Sequence, residues 1–487
     1  MYFSTRVAAD RPINADVPER EEREKAASSG PEEVEKAASS RPPEPKPKPR
    51  PRPRRRRRPR VPGALLFIGG LVVVAIGFIV LAVVAGSGGG PGDESTASGP
   101  APAPVVVTEE APSDDESDEE ETPATESSEG LGYPAFATDN TTRVGGATAA
   151  ENAAAVALAV FPSTTSAQRP AAVALVAEDE WPAAIAAAAL MAPPVRVPLL
   201  LSGPDSTPAA SEEALAALDP QGSEGTSGAR GFAFGNALVP DSLTGVETIR
   251  GASPAAGGEA PAEGEEPAAT TAAIADLRDR LFGSPPEAIV LAPLGEPGFA
   301  APAAAWAARS GDPVLFSDTD ALPKATEEAL KRHTKAPVYV LGPSAAISDS
   351  VLAAVKKLGN PVKRVAGESP VKNALAFARY SGDGFGWNVN DPGHGFVLAR
   401  ENEPLDAAAA APLSAAGTWG PLLLTDSAGT LPPEVRDYLL DVKPGYTTNP
   451  TRAYYNHVWV IGDQEAIDVR QQAEANELAE LAKIGAG

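Results

Sequence analysis

No cysteine occurs among the 487 residues, which excludes disulfides, thiolate nucleophiles, iron–sulfur clusters and cysteine zinc sites. Only three histidines occur, His333, His394 and His457, too far apart for a local ligand motif such as H-E-x-x-H. No metal, cofactor or catalytic residue is assigned. Charge is missing in blocks: residues 61–92 carry none, and residues 93–130 carry 13 acids without a base. Residues 1–60 have the opposite bias, with 17 Lys+Arg against 10 Asp+Glu, and residues 131–487 hold 24 bases and 42 acids. The overall net charge of −24 therefore conceals a basic N-terminal segment.

The uncharged run at 64–85 is 22 residues long, enough for ~33 Å of helix, and predicts a transmembrane span. Eleven bases between Arg41 and Arg60 precede it and acids follow, so the positive-inside rule expects a cytoplasmic N-terminus and an extracellular remainder. A cleaved signal peptide is the rival reading. Its shorter apolar core and shorter leader fit less well than an uncleaved signal anchor. Residues 1–60 read as a disordered, Pro-rich tail suited to inner-leaflet anionic lipid, and they lack the interleaved aromatics of a nucleic-acid binder. Residues 61–86 form the expected span, and 87–130 a disordered acidic linker.

The remainder repeats itself. TTRVGG, ETIRGA and VKRVAG place Arg143, Arg250 and Arg364 at separations of 107 and 114 residues. VPLLLS, DPVLFS and GPLLLT recur in the same order, as do GFAFG, VYVLG and VWVIG. Three ordered anchors at one period define three repeats, 131–245, 246–358 and 359–487. Within each, short apolar runs without alternation are separated by Ala-rich helical segments, the pattern of α/β units whose parallel strands are buried on both faces. Ser348 and Asp349 ahead of VLAAVKKL give a helix N-cap, and Gly359 follows its end.

At these anchors, over roughly residues 140–470, the chain resembles the cell-wall-binding repeat 2 (CWB2) family. The family's R-(I/V)-x-G opening is matched by Arg143 to Gly146 and Arg364 to Gly367, with Arg250-Gly251 a degenerate copy. Its F-P-D-A-L-A-A turn is matched by Trp181-Pro182-Ala183-Ala184-Ile185 and Pro404-Leu405-Asp406-Ala407-Ala408. Its P-I-L-L strand appears as Pro198-Leu199-Leu200-Leu201, Pro313-Val314-Leu315-Phe316 and Pro421-Leu422-Leu423-Leu424. Its closing V-x-(I/V)-(L/I)-G-G-x-x-A-(I/V)-S is matched over 338–348 and in part over 458–467. The D-R-Y-x-T-A string is absent from all copies. The resemblance implies three Toprim-like modules packed with pseudo-threefold symmetry and binding an anionic secondary wall polymer or peptidoglycan-associated glycan, with the P-I-L-L strands tied to that binding.

The residues themselves leave other readings open. A Pro before three large aliphatics is also a plain core strand, and Ser202, Ser317 and Thr425 beyond those strands are better placed than the leucines to touch a ligand. Arg143, Arg250 and Arg364 suit bidentate contacts to phosphate or carboxylate, and equally suit structural ion pairs. The many acids disfavour long-range steering of an anionic polymer, so a local basic cluster is required. Ser369 to Lys372 fits S-x-x-K without the partner motifs of penicillin-recognising enzymes, and 382–386 is Gly-rich without the strand-to-helix setting of a phosphate loop. The chain reads as non-catalytic. A membrane scaffold with divergent repeats binding protein partners is the alternative. Arg outnumbers Lys by 28 to 13, a bias expected of an actinobacterium-like host.

Overall fold

The computed structural model describes residues 136–203, 205–251 and 265–485. The expected basic tail, membrane span and acidic linker lie outside these residues. Among the described residues no helix is long and apolar enough to cross a membrane.

Three sheets with parallel strands organise the described residues. The first contains β3 (Val173–Ala177), β4 (Leu199–Ser202), β5 (Gly231–Phe234) and β6 (Val246–Ile249), in the order β4-β3-β5-β6. The second contains β7 (Ile289–Pro293), β8 (Val314–Ser317), β9 (Val338–Leu341) and β10 (Val362–Val365), in the order β10-β9-β7-β8. The third takes two strands from the start of the described chain, β1 (Phe136–Ala137) and β2 (Thr141–Val144). It adds β11 (Gly395–Arg400), β12 (Leu422–Thr425) and β14 (His457–Ile461), giving β1-β2-β14-β11-β12, antiparallel only at β1-β2. A small pair, β13 (Gly445–Tyr446) and β15 (Ala482–Lys483), lies apart. The central strands β3, β7 and β9 and the edge strand β12 are buried at every residue, as the absence of alternation predicted.

Strand pairing cuts the chain differently from the repeat count. The strand that opens repeat 2, β6, pairs with β5 of repeat 1, and β10, which opens repeat 3, pairs with β9 of repeat 2. The strand that opens repeat 1, β2, pairs with β14 of repeat 3. Each repeat thus lends its first strand to another repeat's sheet, and the exchange closes on itself.

The sheets meet through alanine. Helix α1 (Ala149–Val160) and α2 (Trp181–Ala187) belong to the first repeat. Helices α3 (Ala209–Leu218), α4 (Glu265–Phe282) and α5 (Pro297–Ala300) follow, and α6 (Pro302–Ser310) belongs to the second repeat. After α7 (Lys324–Arg332), α8 (Asp349–Lys357) and α9 (Pro370–Arg379), α10 (Pro404–Ala415) packs against α1, α2 and α6. Ala409 and Ala410 of this helix belong to one buried cluster with Ala153, Ala154, Ala304 and Ala305, all at most 1% exposed. Side chains this short let backbones approach closely, so close packing of small groups replaces the large aliphatics of an ordinary core. The last helices are α11 (Pro433–Asp441) and α12 (Val469–Ala479).

Candidate functional site

The three equivalent arginines serve one local purpose. Arg364 donates to the carbonyls of Gly342 (2.8 Å) and Ile347 (2.7 Å) and pairs with Asp349. Arg143 donates to the carbonyls of Gly462 (2.8 Å), Asp463 (2.5 Å) and Ile467 (2.5 Å) and to Gln472 Oε1 (3.1 Å). Arg250 reaches only the Gly235 carbonyl, through Nε (3.1 Å). In each case the strand that opens one repeat is strapped to the glycine turn that ends the strand beside it. The anion-binding role expected from residue type does not fit Arg143. It is 3% exposed, its donors are committed to carbonyls, and burial lowers its pKa against the opposing pull of Asp463 and Asp468. The cause is the exchange of strands, which brings three loop carbonyls to a guanidinium that the sequence left without a partner. Arg250 is exposed, and its terminal nitrogens make no hydrogen bond among the described residues.

The P-L-L-L strands β4, β8 and β12 each lie at an edge of their sheet with side chains turned inward. Pro198, Pro313 and Pro421 are buried, Leu199 is 5% exposed, and Leu200, Leu201, Val314, Leu315, Phe316, Leu422, Leu423 and Leu424 are 2% exposed or less. Their outer backbone is covered by hydroxyls that sequence reasoning overlooked. Ser211 donates to the Leu201 carbonyl and Thr326 to that of Phe316, both at 2.7 Å. The signal was present as PAASEEAL and PKATEEAL, where hydroxyl and helix recur together; Val435 replaces the hydroxyl in the third copy. Ser202, Ser317 and Thr425 are fully buried. Ser202 accepts from the Leu238 amide, Ser317 donates to nearby carbonyls, and Thr425 accepts from Gln471. Ser369 caps α9 by accepting from the Lys372 amide (3.2 Å), which accounts for the S-x-x-K spacing.

Where α2 begins, beyond the carboxyl ends of β3, β5 and β6, a crevice of about 410 Å³ opens between repeats 1 and 2. It is lined by Asp179, Glu180, Asn236, Arg250, Glu266 and Thr270. Glu180 Oε1 accepts from the Asn236 amide (3.1 Å), while Oε2 is buried without a hydrogen-bond partner, and burial raises its pKa. Glu296 and Glu403 take the same place ahead of α5 and α10, so a Glu close before Pro marks the position in all three repeats. That signal was legible and unused. The crevice sets one guanidinium with free donors among three acids at the end of a parallel sheet, where loops present polar groups to ligands. Gly235 makes the approach possible: at φ +57°, a Cβ there would sit 1.8 Å from Glu180 Oε2. Gly235→Ala is therefore expected to cost roughly 1–3 kcal/mol in urea unfolding. A midpoint unchanged from wild type would remove the crevice geometry from consideration.

Residues 262–352 match the family model Cell wall binding domain 2 (CWB2). The chain is similar in structure to Cwp6 from Clostridium difficile, with 17% identity and TM-score 0.52 over 70% of this chain and 48% of that one. Cwp8 from Clostridium difficile gives 17% identity and TM-score 0.49 over 70% of this chain and 52% of that one. The chain thus spans about half the length of the solved structures it matches. No curated protein sequence matches it. The described residues form a mixed α/β fold with parallel sheets, and the match of residues 262–352 to the CWB2 model supports a cell-wall-binding role.

Proposed function

We propose that this chain is a non-catalytic, single-pass membrane protein that holds three CWB2-like repeats against the cell wall and binds an anionic secondary wall polymer there. The carrying observation is that the CWB2 match falls on the middle repeat, while the same strand order and arginine strap recur in the repeats on either side. In this reading the repeats 131–245, 246–358 and 359–487 are Toprim-like modules about a pseudo-threefold axis, favoured by the closed exchange of opening strands. The run at 64–85 anchors them outside the membrane with the basic tail on cytoplasmic anionic lipid. The buried P-L-L-L strands and Arg143 contribute by holding the loops that meet the polymer, and Arg250 and Arg364 stand nearer the surface.

The test is sedimentation of the full chain, in detergent, with purified actinobacterial walls before and after extraction of secondary polymers. Binding should depend on those polymers and weaken at high salt. Equal recovery with extracted walls would refute the polymer reading.

A further inference from the structure

The Gly-rich stretch around 382–386, unexplained by the repeats, forms a tight turn. Gly382 and Phe385 exchange backbone hydrogen bonds of 3.0 and 2.9 Å, and Asp383, Gly384, Gly386 and Asn388 all have positive φ. The turn drives Phe385 onto Tyr339, with ring centroids 3.7 Å apart and planes 5° from parallel, and to 4.8 Å from Trp306. Trp387 then lies 5.5 Å from Trp306 and 6.1 Å from Trp419, nearly parallel to the latter. Trp306 is fixed by its Nε1 donating to Asp312 Oδ2 at 2.8 Å.

Above these rings lies a groove of about 900 Å³. It collects the loops that precede all three edge strands: Pro193 and Pro194 ahead of β4, Asp312 ahead of β8, and Trp419 ahead of β12. Three of the chain's five tryptophans line it.

Its charges are unevenly committed. Arg278 donates to the carbonyls of Gly311 and Ser284 and pairs with Asp279. Asp312 accepts from Trp306 and from the Ala288 amide, and Asp383 is paired with Lys363. Glu287 stands exposed at the margin. Arg309, in the last turn of α6, lays its guanidinium 4.2 Å from the centroid of half-buried Trp419 and makes no hydrogen bond or ion pair among the described residues. Desolvation lowers its pKa, with no neighbouring carboxylate to raise it.

We propose that this groove binds a saccharide unit of an anionic glycan, its ring packed against the accessible part of Trp419, which the buried Trp387 backs, and its carboxylate or phosphate held by Arg309. Aromatic side chains give sugar C–H faces a large apolar surface at low entropic cost, and a stacked guanidinium is pre-oriented for two parallel hydrogen bonds to an oxyanion. A local cation of this kind meets the need created by an acidic domain that repels polyanions at long range. The assignment rests on the wall-polymer reading and adds to it the site and the ligand chemistry.

The test titrates the full chain in detergent with an oligogalacturonide, a phosphodiester-bearing mannan and an uncharged mannan, following tryptophan fluorescence and calorimetry. At least one anionic probe should bind with a change in fluorescence and tenfold or more above the uncharged mannan, and which one binds separates carboxylate from phosphate. Arg309→Gln, an exposed substitution, should weaken it at least tenfold, Arg309→Lys less, and Trp419→Phe several-fold. Binding of neither anionic probe, equal binding of the uncharged one, or indifference to Arg309→Gln would overturn the groove. Sedimentation with walls separates the two ideas: wall binding undiminished in Arg309→Gln rejects the groove alone, and no wall binding by wild type rejects the wider reading.

Discussion

Arg143→Met is expected to destabilise the protein by roughly 3–5 kcal/mol, because it leaves the carbonyls of Gly462, Asp463 and Ile467 and the Gln472 side chain without a donor in a buried setting. The same change at Arg364, where two carbonyls and an exposed aspartate are lost, is expected to cost about 1–2 kcal/mol. At Arg250, with one carbonyl partner, the expected cost is under about 1 kcal/mol. Arg143→Lys should recover little, since one ammonium cannot span four acceptors arranged for a planar fork. Urea unfolding of the four variants checks the ranking. Equal midpoints for the Arg143 and Arg250 variants would show that the strap is not what holds the closing sheet.

A buried aspartate and a half-buried histidine should give the pH dependence of stability opposite slopes. Asp406 accepts from Asn152 at 2.8 Å across the α1–α10 contact, and burial, reinforced by Glu403 and Asp463, raises its pKa to about 6. A raised pKa means that its contribution is fully present below the unfolded value near 4 and is lost as pH rises through 6, a change of up to about 3 kcal/mol. Burial lowers the His457 pKa to about 4, its ring lying 3.0 Å from Thr142 across the β2–β14 pairing. Its contribution is present above 6.5 and lost as pH falls through 4. Wild type should therefore change little between pH 4 and 6.5 on account of these two groups. Asp406→Asn should be more stable than wild type at pH 8, with that advantage shrinking toward pH 5. His457→Gln should lose less stability than wild type on acidification. Thermal melts at pH 5 and 8 decide the matter, and curves parallel to wild type for Asp406→Asn would contradict the buried charge.

What could be read from the sequence was whatever repeats locally. The apolar runs of β4, β8 and β9 announced buried parallel strands because side chains on both faces are apolar, and Ser348 with Gly359 bounded α8 because caps are local chemistry. The owner of β2 was not legible: strand pairing is decided by partners more than 300 residues away, and TTRV pairs equally well on paper with any apolar neighbour. The arginines were legible from their spacing and their acceptors were not, since a guanidinium suits a loop carbonyl as well as a phosphate, and only the fold supplies the acceptors. The aromatic groove was missed because Phe385, Trp387 and Trp419 are far from Trp306 and Tyr339 in the chain, although glycines interleaved with large rings at 382–387 were a usable sign of a turn that packs aromatics.

The pairing of β2 with β14 also sets an order of assembly. Residues 141–144 leave the ribosome before their partner 457–461 exists, whereas β6 follows β5 after only the short segment 235–245. Joining ends separated by roughly 315 residues costs on the order of 5 kcal/mol in chain entropy, about twice the cost for the near neighbours β5 and β6. The third sheet thus waits for the end of the chain, its seam at β14 open until β2 returns to it and brings the Arg143 strap. Until that moment a stretch such as His457–Ile461 offers an unpaired edge to any passing strand, including the β2 of a neighbouring molecule.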